Sequence, residues 1–289
     1  MDEMAEKVVL ITGGNAGIGK EAAVGMAGLG ATVVITSRDE ERGRAARQEI
    51  VERSGNSNVE VMPLDLASFH SIRFFAADVL ARFDQLDVLV NNAGLILRRR
   101  TETADGFEAT FGINHLGHFL LTDLVLDRLK ACAPARVVVV ASGAHKGARR
   151  GLDFDDLQGE SGYRWMDAYN KSKLANVYFA RELARRLAGT GVTANALHPG
   201  FVRSEFGRGG DLGSLYGWGI KYLAGPFAIS PARGARTTIY LASSPEVEGV
   251  TGGYFYKCKP ATPSKVAQDD DAARRLWDES ERMVASVPA

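Results

Sequence analysis

The sequence predicts a doubly wound α/β fold, in which a seven-stranded parallel sheet carries helices on both faces. Short apolar runs rich in β-branched residues alternate along the chain with longer segments of helical periodicity. Most of these runs are apolar at successive positions, which is typical of strands buried on both faces. The 289 residues, 45% of them hydrophobic, are enough for one large core. No linker, repeat or low-complexity block divides the chain, so residues 1–289 are predicted to form a single domain.

The predicted elements follow one another in regular alternation. The strands are predicted at 8–12, 32–36, 59–62, 87–90, 137–141, 192–197 and 250–256. Between them, a first helix runs through Met26, and further helices are predicted at 40–53, 68–83, 116–130, 169–187 and 232–242. A final amphipathic helix is predicted at 269–285, because its opening aspartates suit a helix N-terminus. Residues 204–229, rich in glycine and aromatic side chains, interrupt the alternation and are predicted to form a loop or lid.

Charge and cysteine content exclude several classes of partner. Thirty-five basic side chains balance 35 acidic ones, so no electrostatic footprint for nucleic acid is present. No apolar window reaches 18 residues, and the first residues carry acids where a signal peptide carries bases, so no integral membrane segment is expected. Cys132 and Cys258 have no metal-ligand spacing and suit a reducing compartment. We therefore expect a cytoplasmic protein with a small-molecule partner.

Glycines follow the first predicted strand, in the segment "VVLITGGNAGIGK" at 8–20. Backbone N–H groups at the start of a helix bind anions, and the missing Cβ atoms permit close approach. After Thr12, the residues Gly13, Gly17 and Gly19 are spaced G-x-x-x-G-x-G rather than in the usual dinucleotide fingerprint G-x-G-x-x-G. The segment predicts a Rossmann-type pyrophosphate site, although a simple strand-to-helix turn would also use glycines.

Further motifs recur in a characteristic order. They are "TGGNAGIG" at 12–19, "LDL" at 64–66, "NNAG" at 91–94, Asn114, Ser142, Tyr169 with Lys173, and "HPG" at 198–200. Their order and spacing closely resemble the short-chain dehydrogenase/reductase family over residues 7–256. Residues 169–206 and 274–284 look most like the branch of retinol dehydrogenases and related reductases.

Tyr169 and Lys173 are four residues apart and share one face of a predicted helix. A phenol with an ordinary pKa of about 10 is a poor base, but a neighbouring Lys⁺ and a cationic nicotinamide favour the phenolate and lower its pKa. Tyr169 is therefore predicted to relay the proton. Ser142 follows the predicted strand at 137–141, where open α/β sheets bind ligands, and is predicted to hold the substrate oxygen. The resemblance implies that Asn114 helps to hold a water linking Lys173 to solvent.

The cofactor is predicted from the end of the second strand. Ser37 and Arg38 stand where an acid would bind the ribose 2′-OH of NAD, and they suit a 2′-phosphate, so NADP(H) is favoured over NAD(H). Ala16 stands where many NADP-using relatives have a basic residue, and Arg38 could instead pair with a helix acid such as Glu41. The resemblance implies cofactor contacts from Gly13, Asn15, Gly17, Ile18, Gly19, Ser37, Arg38, Asp65, Leu66, Asn92, Ala93, Gly94, Tyr169, Lys173, Pro199, Gly200, Val202 and Ser204.

Several other polar residues are expected to be unremarkable. His115 and His118 lie one helical turn apart, but no third ligand is visible, so no metal site is expected. The basic run at 98–100 is expected to be a solvated loop. His145 either lines the substrate entrance or lies in a surface loop.

The substrate is inferred from aromatic residues around the predicted site. The segment between Ser142 and Tyr169 is predicted to overhang the cleft. Together with the lid it supplies Trp165, Tyr216, Trp218, Tyr222 and Phe227. Such a lining suits an apolar alcohol or carbonyl compound, although the same residues could pack against a second subunit of a homo-oligomer.

The sequence therefore predicts an NADP-dependent oxidoreductase that interconverts an apolar alcohol and its aldehyde or ketone. A non-catalytic NADP(H)-binding sensor or scaffold is the alternative, but such proteins usually lose the Tyr/Lys/Ser set that is intact here. A nucleotide-sugar epimerase or dehydratase would favour the spacing T-G-x-x-G-x-x-G and a larger C-terminal domain.

Overall fold

The computed structural model describes residues 3–202 and 228–288, and within them the strands form one mixed sheet. The strands are β1 Val8–Ile11, β2 Thr32–Ser37, β3 Val59–Pro63, β4 Val88–Asn91, β5 Ala135–Val140, β6 Val192–Leu197, β7 Tyr254–Tyr256 and β8 Lys259–Pro260. Their order is β3-β2-β1-β4-β5-β6-β7-β8, and the first seven strands in sequence are mutually parallel. The predicted doubly wound, Rossmann-like α/β domain is confirmed.

The eighth strand corrects the predicted count of seven. Strand β8 pairs antiparallel with β7 through a two-residue connection, Lys257 and Cys258, whose φ angles are 53° and 58°. Two positive φ values match the twist of a tight hairpin, and glycine or asparagine normally supplies them. Lys257 and Cys258 are neither glycine nor asparagine, so the sequence did not predict this hairpin.

Helices cover both faces of this sheet. They are α1 Gly17–Gly28, α2 Glu40–Ser54, α3 Phe69–Arg82, α4 Ala109–Phe111, α5 Gly117–Ala131, α6 Trp165–Arg186, α7 Pro231–Ser243 and α8 Asp270–Ala285. The predicted helices are present, but two begin earlier than predicted. Helix α6 begins at Trp165, after Arg164, whose side chain makes no capping bond that would have marked the start. The helix predicted at 116–130 is preceded by helical structure from Ala109, because α4 and α5 are joined by a π-helical turn, Gly112–Leu116.

Alternate side chains of the strands pack into two separate hydrophobic cores, one on each face of the sheet. In β1, Leu10 belongs to the core beneath α3, α5, α6 and α8, whereas Val9 and Ile11 belong to the core beneath α1, α2 and α7. All three side chains are fully buried, which explains why the strand is apolar at every position. The order of the strands reverses between β1 and β4, and the carboxyl ends of strands beside such a reversal form a ligand site.

The predicted lid falls almost entirely outside the described residues, as do Ser204 and four of the predicted aromatic residues, Tyr216, Trp218, Tyr222 and Phe227. At its flanks, the backbone N–H of Ile229 donates to the carbonyl oxygen of Phe201 over 2.8 Å, and Val202 forms a parallel bridge with Ile229. In the parts of the chain that the structure describes, no helix has both the length and the apolar composition needed to cross a bilayer.

Candidate functional site

The glycine loop between β1 and α1 is packed too closely to admit other residues at several positions. Gly13 and Gly17 have φ angles of 64° and 54°, in the left-handed region that favours glycine. A Cβ atom at Gly19 would lie 2.4 Å from the carbonyl oxygen of Gly13 and 2.5 Å from Nδ2 of Asn92. Helix α1 follows Ala16, which provides no capping side chain, so N–H groups of its first turn remain available to an anion. Asn15 and Ile18 lie half-buried in the same loop and first turn.

Thr12 joins the glycine loop to the residues after β4. Its buried hydroxyl oxygen accepts hydrogen bonds from the backbone N–H groups of Asn92 and Ala93, over 2.9 and 3.0 Å. The side-chain amide of Asn92 donates in return to the carbonyl oxygen of Thr12 over 2.8 Å. Two motifs 80 residues apart in sequence therefore form one structural unit. The side chain of Asn92, predicted to contact the cofactor, is committed to the glycine loop.

Asn114 lies in the π-helical turn and binds the loop after β4. Its Oδ1 accepts from the N–H of Leu95 over 2.8 Å, and its Nδ2 donates to the carbonyl oxygen of Leu95 and to Oγ of Ser172, over 2.9 and 3.0 Å. Both amide hydrogens are used, so only one lone pair of Oδ1 remains for the predicted water. A Cβ at Gly94 would lie 3.1 Å from Oδ1 of Asn114 and 3.3 Å from Nζ of Lys173, so these two side chains converge on a bare backbone.

Lys173 lies beneath Tyr169 in α6. Its side chain is 3% exposed, its Nζ donates to the carbonyl oxygen of Val140 over 3.1 Å, and Nζ lies 5.9 Å from the ring centre of Tyr169. Burial lowers the pKa of Lys173 to about 8. The ammonium is therefore still mostly charged at neutral pH, although its pKa is close to that pH.

Tyr169 departs from the predicted electrostatics. Burial raises its pKa to about 12, and a hydrogen bond with Ser142 only partly opposes the rise. The lowering predicted from Lys173 and a cationic nicotinamide together is not seen in the protein alone, because burial penalises the phenolate. At neutral pH, Tyr169 is a phenol that can donate its proton.

Ser142 is fixed by its neighbours at the end of β5. Its Oγ accepts from the N–H of Ala144 over 3.1 Å, capping a short 3₁₀ turn. His145, predicted either to line the entrance or to lie at the surface, is instead fully buried. Its Nε2 accepts from the N–H of Ser264 over 3.1 Å, so Nδ1 carries the proton and donates to the carbonyl oxygen of Ser142 over 2.7 Å. This bond could not be predicted from local spacing, because Ser264 is 119 residues away.

The "HPG" turn after β6 is held by its own histidine. Nδ1 of His198 accepts from the N–H of Gly200 over 3.1 Å, and its ring stacks on Tyr256 with 4.1 Å between ring centres. Gly200 has a φ of 94°, so the turn requires glycine. Burial lowers the pKa of His198 to about 4, so this bond persists at neutral pH. Pro199 lies within the turn and Val202 at its end, whereas neither His198 nor Tyr256 was predicted to act in the site.

The edge beyond β2 carries the predicted determinants of cofactor choice. Oγ of the buried Ser37 donates to the carbonyl oxygen of Asp39 over 2.7 Å, and the carboxylate of Asp39 caps α2 by accepting from the N–H of Arg42 over 2.9 Å. Arg38 is exposed, and no carboxylate of residues 3–202 or 228–288 lies within ion-pair distance of it. The alternative pairing of Arg38 with Glu41 is therefore not found.

The predicted adenine contacts lie after β3. Oδ1 of Asp65 accepts from the N–H of Ala67 over 3.0 Å. Leu66 is buried against Gly117, where a Cβ would lie 2.7 Å from the carbonyl oxygen of Leu66. These bonds fix the turn and leave the second carboxylate oxygen of Asp65 available.

The segment between Ser142 and α6 folds against the loop after β4. The hydroxyl of Tyr163 donates to the carbonyl oxygen of Leu97 over 2.8 Å, and Nε of Arg100 donates to the carbonyl oxygen of Gln158 over 3.1 Å. Arg98 and Arg99 are exposed, as predicted for a solvated run. In the described part of the chain, no three His, Cys, Asp or Glu side chains gather as metal ligands would. His115 and His118 are both buried and bonded to protein hydroxyls.

Comparison with known proteins gives a consistent result. Residues 7–153 match the family described as short chain dehydrogenase. The chain is 46% identical over 291 residues to retinol dehydrogenase 14 of Mus musculus, covering 97% of this chain and 86% of that protein. An uncharacterized protein from Mycobacterium paratuberculosis has a similar crystal structure, with a TM-score of 0.77, 35% identity, and coverage of 97% of this chain and 94% of that one. The Pseudomonas aeruginosa RhlG/NADP active-site complex has a TM-score of 0.70 and 26% identity, over 88% of this chain and 95% of that one.

Proposed function

Because the chain belongs to the short-chain dehydrogenase family, we propose that it is an NADP-dependent oxidoreductase that interconverts an apolar alcohol and its aldehyde or ketone. The observation that carries the proposal is the hydrogen bond between Ser142 and Tyr169, with the ammonium of Lys173 beneath the phenol. This set lies at the carboxyl edge of the sheet, where the glycine loop also opens.

The residues present fit a dinucleotide. The uncapped start of α1, directly after the glycine loop, suits a pyrophosphate. The exposed guanidinium of Arg38 has no acidic partner among the described residues, which suits a 2′-phosphate. The RhlG/NADP complex has a similar fold and holds NADP, which supports the same choice of cofactor. When bound, the nicotinamide supplies or accepts the hydride.

The side chains would act on the substrate oxygen. In reduction, Ser142 donates a hydrogen bond to the carbonyl oxygen and holds it as negative charge develops. Tyr169, a phenol at neutral pH because of its raised pKa, gives its proton to that oxygen. The charge of Lys173 then stabilises the phenolate that remains, 5.9 Å from the ring centre. In oxidation, the same proton returns to Tyr169.

The substrate class is proposed to be apolar and retinoid-like. The support is the 46% identity to a protein named retinol dehydrogenase, over nearly the whole chain. Asn114 and Gly94 complete the proposed catalytic surroundings. We propose the cytoplasm as the compartment, and the free cysteines Cys132 and Cys258 suit it.

The direct test is a panel of retinoid and other long-chain aldehydes, ketones and alcohols, read by nicotinamide absorbance with each cofactor. We expect turnover of apolar carbonyl compounds with NADPH and little turnover of charged sugars. Binding of NADPH without turnover on the whole panel would favour the sensor or scaffold instead.

Changing Arg38 to aspartate should reverse or abolish the preference for NADPH over NADH. The change removes a charge-assisted pair and adds a repelling acid, which together shift the binding ratio by roughly 2–4 kcal/mol. Dissociation constants for both cofactors, measured by fluorescence titration, check this. Arg44→Asp is the matched control, because it makes the same charge change on the exposed face of α2, beside Glu40. Equal affinities for the two cofactors in the wild type would contradict the proposed specificity.

A further inference from the structure

We propose that His118 is a positioning residue that couples the glycine loop to the helical turn carrying Asn114. The inference rests on the proposed function, because it concerns how the cofactor loop and the catalytic side chains are held in register. His118 has no place in the mechanism above and is distant from the set of Ser142, Tyr169 and Lys173 in sequence.

The imidazole of His118 bridges two elements of the site. It is 2% exposed, near the start of α5. Its Nε2 lies 2.9 Å from Oγ1 of Thr12, and its Nδ1 lies 3.1 Å from the backbone carbonyl oxygen of Asn114. One ring therefore spans the distance between the end of β1 and the π-helical turn.

The direction of each hydrogen bond follows from the partners. The carbonyl oxygen of Asn114 can only accept, so Nδ1 of His118 carries the proton. In the neutral ring, Nε2 then accepts, and the hydroxyl of Thr12 must donate to it. That contact is shorter than the 3.3 Å from the same hydroxyl to the carbonyl oxygen of Val90. Burial lowers the pKa of His118 to about 4, so the ring keeps this neutral form at neutral pH.

A continuous chain of hydrogen bonds results. The N–H groups of Asn92 and Ala93 donate to Thr12, Thr12 donates to His118, and His118 donates to Asn114. The chain is also anchored at its centre, because Thr122 donates to the carbonyl oxygen of His118 over 2.7 Å. A shift of the glycine loop is thus transmitted to the π-helical turn that carries Asn114. The side chain of Asn114 in turn binds Leu95 and meets Lys173 beside Gly94.

The π-helical turn next to His118 provides a matched control. His115 is equally buried and lies three residues earlier, but its Nε2 contacts Oγ of Ser280 in α8 over 2.8 Å. His115 therefore anchors the turn on the side facing α8 and has no bond to the glycine loop. Replacing either histidine by phenylalanine removes buried hydrogen bonds at or next to the π-helical turn, but only His118→Phe breaks the link to Thr12.

The test compares four variants: His118→Phe, His118→Asn, His118→Gln and His115→Phe. For each, kcat, KM, the dissociation constant of NADPH and the melting temperature without cofactor are measured. Because neutral hydrogen bonds contribute about one factor of ten each, we expect His118→Phe to lower kcat roughly tenfold and to weaken NADPH binding severalfold. His115→Phe should lower the melting temperature by a similar amount but leave the NADPH affinity within about twofold.

Partial rescue distinguishes positioning from packing. The amide of asparagine overlies Nδ1 and restores the bond to Asn114, so His118→Asn should recover mainly kcat. The longer glutamine reaches the place of Nε2 and restores the bond to Thr12, so His118→Gln should recover mainly the NADPH affinity. If His118→Phe does not fold, these two variants decide alone, and identical constants in both would overturn the inference.

Failure of this inference can be distinguished from failure of the proposed function. If His118→Phe and His115→Phe lose kcat and NADPH affinity in parallel with melting temperature, His118 is merely structural and the inference fails. If the wild type binds NADPH but shows no turnover, the proposed function fails, while the NADPH affinities of the four variants still decide the coupling.

Discussion

Replacing Tyr169 by phenylalanine is expected to lower turnover by about 10²–10⁴-fold in both directions, because a positioned acid–base group contributes a factor of that size. The change keeps the ring, its volume and its place on α6, and removes only the hydroxyl that Ser142 contacts. Steady-state kinetics with NADPH and a good carbonyl substrate, and with NADP⁺ and the alcohol, measure the loss. Near-normal reduction by the variant would show that another group transfers the proton.

A control separates catalysis from packing. Tyr178 lies nine residues later on α6, is fully buried, and donates its hydroxyl to the carbonyl oxygen of Val266 over 2.9 Å. Burial raises its pKa to about 12, as in Tyr169. Tyr178→Phe should cost about 1 kcal/mol of unfolding free energy and leave turnover unchanged within about threefold. Tyr169→Phe should retain its NADPH affinity. It should lose turnover, whereas Tyr178→Phe should lose only stability.

Acidification should destabilise the protein steeply between about pH 6.5 and pH 4. Burial lowers the pKa of His115 to about 3 and of His118 to about 4, and it also lowers the pKa of His145. In the unfolded chain each ring regains an ordinary pKa near 6.5, so the unfolded state binds more protons in this range. Stability therefore falls as the pH falls below 6.5. At pH 5, His115 and His118 each cost roughly 2 kcal/mol, a large part of a typical total of about 5–15 kcal/mol.

Urea unfolding followed by circular dichroism at pH 7, 6 and 5 measures this effect. His115→Phe should reduce the slope of unfolding free energy against pH, because one titrating ring is lost. His70→Asn, at an exposed histidine outside these hydrogen bonds, should leave the slope unchanged. An unfolding free energy that is equal at pH 7 and pH 5 would contradict the prediction.

The elements that could be predicted from sequence are those with a local cause. Strands buried on both faces have to be apolar at successive positions, so all seven predicted strands are present. The helical spacing of Tyr169 and Lys173 likewise brought them together, with the ammonium near the ring. The hairpin at 257–258 and the π-helical turn at 112–116 were missed, because neither has a residue pattern that differs from ordinary strand end or helix.

The parts of the site that could not be predicted depend on distant residues. His145 finds Ser264 at a separation of 119 residues, and His118 finds Thr12 at 106, so no local spacing announces either bond. The raised pKa of Tyr169 in the protein without cofactor could not be predicted for a related reason. Sequence shows which charges are near along a helix, but the burial that raises this pKa arises only from packing.

The packing of α8 against α5 and α6 affects how the protein folds during its synthesis. Trp277 packs on Phe119 and Phe179, with 4.8 and 5.9 Å between ring centres, and Ser280 accepts from His115. His115 and Ser280 are 165 residues apart, so at about 5–20 residues per second the ribosome needs roughly 10–30 s to deliver the second after the first. During that interval the turn carrying Asn114 emerges without the helix that covers it, and its aromatic neighbours are open to chaperones. Helix α6 therefore reaches its final packing only after α8 has been made.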